Sequence, residues 1–94
     1  MTKLTVLCWQ EIPSVVEAKG GGGTHKVQLS LRFQELIDLI AMKRGLGGSD
    51  EYLMHWRKEK RGETDADPEP AAEALAAEIE AGYERIKADA LAQS

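Results

Sequence analysis

Thr24-His25-Lys26-Val27-Gln28-Leu29-Ser30-Leu31-Arg32-Phe33-Gln34-Glu35-Leu36-Ile37-Asp38-Leu39-Ile40-Ala41 is the stretch where the hydrophobic period of the chain changes. Val27 and Leu29 alternate with Lys26 and Gln28, the period of two that a half-buried strand needs. From Ser30 onward Phe33, Leu36, Ile37, Ile40 and Ala41 recur at steps of three and four, which draws one apolar stripe on a helix. Ser30 is a natural N-cap for that helix. Lys43 and Arg44 sit at its negative end, and Gly45 stands where a left-handed residue is cheapest. This is where a run of strands gives way to a run of helices, the order that predicts an α+β fold.

Upstream, Lys3 to Trp9 reads as a central strand, because Leu4, Val6 and Cys8 fall on one side and Thr5, Leu7 and Trp9 on the other. Ile12-Pro13 breaks that pattern, since proline has no backbone donor and restricts the residue before it. A turn or exposed corner is expected there. Ser14 to Lys19 forms the next strand, joined to Thr24–Leu29 by a mobile hairpin at Gly20 to Gly23. Those glycines do not form a phosphate cradle, because no helix with Lys and Ser or Thr at its start follows them.

Downstream, Gly47-Gly48 make a short connection and Ser49 caps a second helix. That helix opens on Asp50 and Glu51, directs Tyr52, Leu53 and Trp56 to the core, and closes on Lys58, Lys60 and Arg61 before Gly62. A third helix follows the polar linker Glu63–Ala66, with Asp67 as cap and Pro68 at its first position. Leu75, Ile79, Tyr83, Ile86 and Ala90 then step by four, four, three and four along a helix about 35 Å long. Gly82 weakens it locally. The expected architecture is a three-stranded antiparallel sheet packed by two helices over residues 1–62, followed by an acidic linker and a long acidic C-terminal helix over residues 63–94.

The chain has 94 residues, a formal net charge of −4 and one cysteine. The charge is divided: residues 1–62 carry ten basic and seven acidic side chains, and residues 63–94 carry two and nine, or +3 against −7. A basic body with an acidic appendage either folds on itself or offers the appendage to a basic partner, and it disfavours nucleic-acid binding by the chain as a whole. A lone thiol and the absence of a charged, apolar leader point to the cytoplasm. No apolar run is long enough to span a bilayer, so no membrane partner is expected.

Catalytic, cofactor and metal readings find little to rest on, and neither an enzyme nor a cofactor is expected. Cys8 falls on the inward side of its strand, where a thiol is inert; a small thiol enzyme using it is the alternative. His25 and His55 stand at no metal-ligand spacing from each other or from Cys8. Glu63, Asp65, Asp67 and Glu69 alternate through a linker that Pro68 and Pro70 interrupt, which breaks a calcium-loop register. Arg57, Lys58, Lys60 and Arg61 form a basic cluster beside Trp56. That cluster either complements a helix dipole or makes a weak nucleic-acid or phosphate-ligand site.

What remains is recognition of another protein. The expected contact residues are the corner Trp9, Ile12 and Pro13, the group Trp56, Arg57, Lys60 and Arg61, and Tyr83 and Ile86 on the last helix. A homo-oligomer through that helix is the other arrangement.

The segments Trp9-Gln10-Glu11-Ile12-Pro13, Arg32-Phe33, Ile37-Asp38, Ala41-Met42, Gly45-Leu46, Asp50-Glu51-Tyr52-Leu53 and Trp56-Arg57 resemble a small bacterial "virulence factor" family over about residues 4–60. Gln10 and the four glycines depart from its pattern, which has a basic residue after the first Trp and more charge in the hairpin. The resemblance implies a genetic phenotype and no catalytic residues to carry over. It also implies genes that neighbour folate and corrinoid methyl-transfer enzymes, hence a non-catalytic adaptor or accessory subunit in one-carbon metabolism.

Overall fold

A computed structural model describes residues 1–46 and 50–93. The Gly47-Gly48 connection and the Ser49 cap lie outside the described residues. The chain order is β1 (Thr2–Trp9), β2 (Ile12–Gly20), β3 (Gly23–Gln28), α1 (Leu31–Lys43), α2 (Asp50–Met54), β4 (Trp56–Thr64), α3 (Pro68–Ala81) and α4 (Tyr83–Ala92). The fold is α+β, with a four-stranded antiparallel sheet in the order β3-β2-β1-β4. β1 is central, as its apolar residues on both sides require.

β1 and β2 are joined by a two-residue turn, Gln10-Glu11, with Trp9 paired to Ile12. Gln10 takes a φ of 53°, which the first position of a tight hairpin turn demands. Strand β2 therefore begins at Ile12 and includes Pro13, where a break was expected. Proline is tolerated there because the β2–β3 ladder starts only at Val15, and the β1–β2 register shifts at Leu7/Cys8. Gly21-Gly22 turn the chain between β2 and β3. A side chain on Gly20 would meet Thr2 Oγ1 at 2.9 Å and Pro68 Cγ at 3.1 Å, so this glycine lets α3 approach the sheet.

The expected second helix is corrected: it ends at Met54, and the charged residues that follow form β4. Arg57, Glu59 and Arg61 lie two apart, on one side of a strand, and Glu59 bridges both arginines at 3.2 Å. On a helix those positions would point in different directions. Gly62, read as a helix stop, instead has φ 88° where the β1–β4 register shifts between Lys3 and Thr5. The boundary placed at residue 62 falls inside β4.

The expected single long helix is also corrected. It divides at Gly82, whose N–H bonds to the carbonyls of Glu78 and Ile79 and closes α3. α3 packs on β2 and β3, while α4 packs on α1. One hydrophobic cluster joins the two halves of the sequence. Val6, Val16 and Ala18 of the sheet, Phe33, Ile37 and Ile40 of α1, Ala72 of α3 and Ala90 of α4 are all essentially fully buried in it. Leu53, expected in the core, is 67% exposed.

Two polar hubs hold the helices. Glu80 of α3 accepts the Ser30 backbone N–H at 2.6 Å, the Ser30 hydroxyl at 2.8 Å and the Arg32 guanidinium at 3.0 Å. Ser30 is the N-cap of α1, but its own side chain makes no capping bond; a carboxylate from another helix instead satisfies the N–H of Ser30 itself. Arg44, at the end of α1, donates to Gln10 Oε1, pairs with Glu11 at 2.9 Å and reaches the Ala90 carbonyl at 3.3 Å. It ties the first hairpin, α1 and α4 together.

Candidate functional site

Strand alternation sorts the sheet into two sides. One side carries Val6, Cys8, Val16 and Ala18 under the helices. The register places Lys3, Thr5 and Leu7 of β1, Val15, Glu17 and Lys19 of β2, Lys26 of β3, and Lys58 and Lys60 of β4 on the other. Thr5, Leu7, Val15, Glu17, Lys26 and Lys58 line a shallow hollow of about 210 Å³ there. Leu7 and Val15 form its apolar floor and are half-buried. Glu63, paired with Lys3, lies at one corner of this side.

The cations of this side are under-neutralised. Lys26 pairs with Glu17 at 3.7 Å. Lys3, Lys19, Lys58 and Lys60 make no ion pair among the described residues. The exposed acids Glu69, Glu73, Glu78, Glu84 and Asp89 stand on α3 and α4, on the opposite layer. A chain of net charge −4 thus presents a basic surface on one side of its sheet.

The structure disperses the expected contact residues. Trp9 and Ile12 are fully buried and Pro13 is buried, which removes the exposed corner. The Trp9 ring stacks on Tyr52 at 5.5 Å and meets His55 edge-on at 5.7 Å, while its Nε1–H donates to the Tyr52 carbonyl at 2.7 Å. Trp56 is half-buried, edge-on to Tyr52 at 6.2 Å. Arg57 donates from Nε to the Gln10 carbonyl at 2.9 Å and lies with Arg61 beside Glu59. The four cations expected as one cluster at a helix end therefore divide between the two sides of a strand, and only Lys58 and Lys60 reach the open one.

Tyr83 and Ile86 turn toward this chain's own body. The Tyr83 ring packs edge-on against Phe33 at 5.0 Å, and the Arg32 guanidinium carbon lies 4.3 Å from its centroid. Ile86 is packed against the core cluster. The seam of the last helix is thus used within the chain.

Cys8 is buried, and desolvation, with the nearby Glu59 carboxylate, pushes its thiol above the ordinary cysteine range against the pull of Arg57 and Arg61. Such a thiol is a poor nucleophile at neutral pH. His25 lies 3.9 Å from Glu73 of α3, and His55 lends its carbonyl to the Gln10 N–H at 3.0 Å. No group of three His, Cys, Asp or Glu among the described residues is arranged to hold a metal ion. No helix among them is long and apolar enough to cross a membrane.

Sequence reading missed Lys3, Lys19 and Lys26 as companions of Lys58 and Lys60. The signal was present as one lysine in each of β1–β3, but it acquires meaning only once β4 is known to be a strand. Comparison with curated proteins and with solved structures gave no match. The sequence model of one family matches residues 7–91, across both sides of the expected division at residue 62. On that match the chain belongs to the family described as Virulence factor.

Proposed function

We propose that this chain is a non-catalytic protein-binding adaptor or accessory subunit that works through the uncovered side of its sheet. The carrying observation is the hollow over Leu7 and Val15 flanked by Lys26 and Lys58, an apolar centre with a polar rim such as recognition surfaces use. The buried Cys8 thiol, held protonated by its surroundings, supports a reading without nucleophilic chemistry. Folate- and corrinoid-dependent methyl-transfer enzymes, the association that the family resemblance implies, are the first partners to test, in the cytoplasm that a lone thiol favours.

The test is co-purification from native extract with the tagged chain and with its Val15→Glu variant, after circular dichroism has shown both to be folded. The expected result is a partner retained in stoichiometric amount by the unaltered chain and lost by the variant. Equal retention by both would remove the sheet from the reading, and turnover of a substrate by the isolated chain would remove the adaptor.

A further inference from the structure

We infer that the uncovered side of the sheet receives an acidic segment of its partner protein, with one apolar side chain of that segment seated over Leu7 and Val15. This inference rests on the protein-binding reading above and names the chemistry of its occupant.

The first step is electrostatic. Antiparallel sheets commonly leave one side to water, and lysines on such a side are ordinary. Here, however, five lysines (Lys3, Lys19, Lys26, Lys58 and Lys60) share the surface with only Glu17 and Glu63, in a chain that has 16 acidic and 12 basic side chains. The exposed acids of α3 and α4 are held on the other layer, and among the described residues only Lys26 of these lysines has an ion-pair partner, Glu17. The surface is complementary to carboxylates supplied from outside.

The second step is steric. The hollow of about 210 Å³ has room for an aliphatic side chain, and its floor of Leu7 and Val15 gives that side chain apolar contact. Lys26 and Lys58 stand on its rim, so a carboxylate flanking the inserted side chain meets a cation on either edge.

The third step excludes rivals. Single-stranded nucleic acid bound on a sheet uses a row of aromatic rings for its bases. None of the residues that line this hollow is aromatic, and Trp56, at the end of β4, is already engaged with Tyr52. A second copy of this chain has acids to offer on α3 and α4. Docking them here would be head-to-tail, however, a contact that gives rings or open filaments and that sedimentation detects.

The test uses fluorescence anisotropy with a short labelled peptide of glutamates around a central leucine, the same peptide without the leucine, its lysine counterpart, and an oligothymidylate. The unaltered chain is expected to bind the leucine-containing acidic peptide best and to lose affinity steeply with salt. The Lys58→Glu/Lys60→Glu variant should bind roughly tenfold or more weakly, while Lys43→Glu, a lysine on α1, should bind as the unaltered chain does. Absence of binding to the acidic peptides, or equal binding by the double variant, would overturn the inference. So would tighter binding of the oligothymidylate, or self-association by sedimentation that the double variant abolishes. Should the double variant still retain the native partner in co-purification, the protein-binding reading stands and this inference alone fails.

Discussion

The two sides of the sheet are built from the same strands and differ in what packs over them. On the covered side Val6, Val16 and Ala18 are fully buried against α1 and α3. One residue away along each strand, Thr5, Leu7, Val15 and Glu17 remain partly open, with no helix over them. The contrast teaches that position along a strand says little about energetic weight; what decides it is the side to which the pleat sends the residue. Stability should reside on one side and recognition on the other, and that division can be broken by experiment.

The largest effect should come from Phe33→Ala, which opens a cavity between α1 and α4 and removes the edge-on contact with Tyr83. A loss of about 3–5 kcal/mol is expected in urea unfolding. Val15→Ala on the open side should stay within about 1 kcal/mol, because Val15 is only half-buried and its site collapses into solvent. Comparable losses for the two would break the comparison.

Arg44→Ala should rank second, at about 1.5–3 kcal/mol, since the side chain is only 16% exposed and joins Gln10, Glu11 and the Ala90 carbonyl. Arg44→Lys should recover less than half of that loss, because an ammonium cannot reach three acceptors spread around a planar fork. Full recovery by lysine would show that charge alone matters there.

The Glu80 hub provides a pH signature. Partial burial opposes ionisation of Glu80, but the Ser30 hydroxyl, the Ser30 N–H and Arg32 outweigh it and hold the carboxyl below its ordinary value of 4.5. A group whose folded pKa is depressed contributes stability that is fully present above its unfolded value. That contribution is lost as pH falls through the folded value. The melting temperature should therefore drop as pH falls below about 4.5, and the Glu80→Gln variant should show a shallower acid limb. An unchanged acid limb would place the sensitivity in other carboxylates.

Gly82→Ala should stabilise the chain by about 0.4–1 kcal/mol in thermal unfolding. The added Cβ meets only the carbonyl oxygens of Ile79 and Glu78, at 3.7 and 3.8 Å, and the backbone there needs no positive φ. Destabilisation would mean that the break between α3 and α4 requires glycine. The smallest effect should be that of Lys58→Glu/Lys60→Glu, within about 0.5 kcal/mol of the unaltered chain. A large loss of stability there would make the open side structural and erase the division.

The sequence by itself determined α1 and its limits, the central position of β1, the glycine hairpin, and the Asp67-Pro68 start of α3. Each of these is written in local chemistry: a change of hydrophobic period, a proline whose missing donor costs nothing, a glycine at φ 72° after Arg44. Trp56 to Thr64 carried no such signal. Eight of its nine positions are polar or glycine, so neither a period of two nor of 3.6 stands out, and only the vacant edge of β1 makes it a strand. Tertiary structure alone also decided the burial of Trp9 beneath Tyr52, the bond from the Ser30 N–H to Glu80 50 residues away, and the return of Tyr83 to Phe33. These depend on which segments meet in space. The same is true of the basic side of the sheet, whose five lysines are scattered from residue 3 to residue 60 and become one surface only when four strands align.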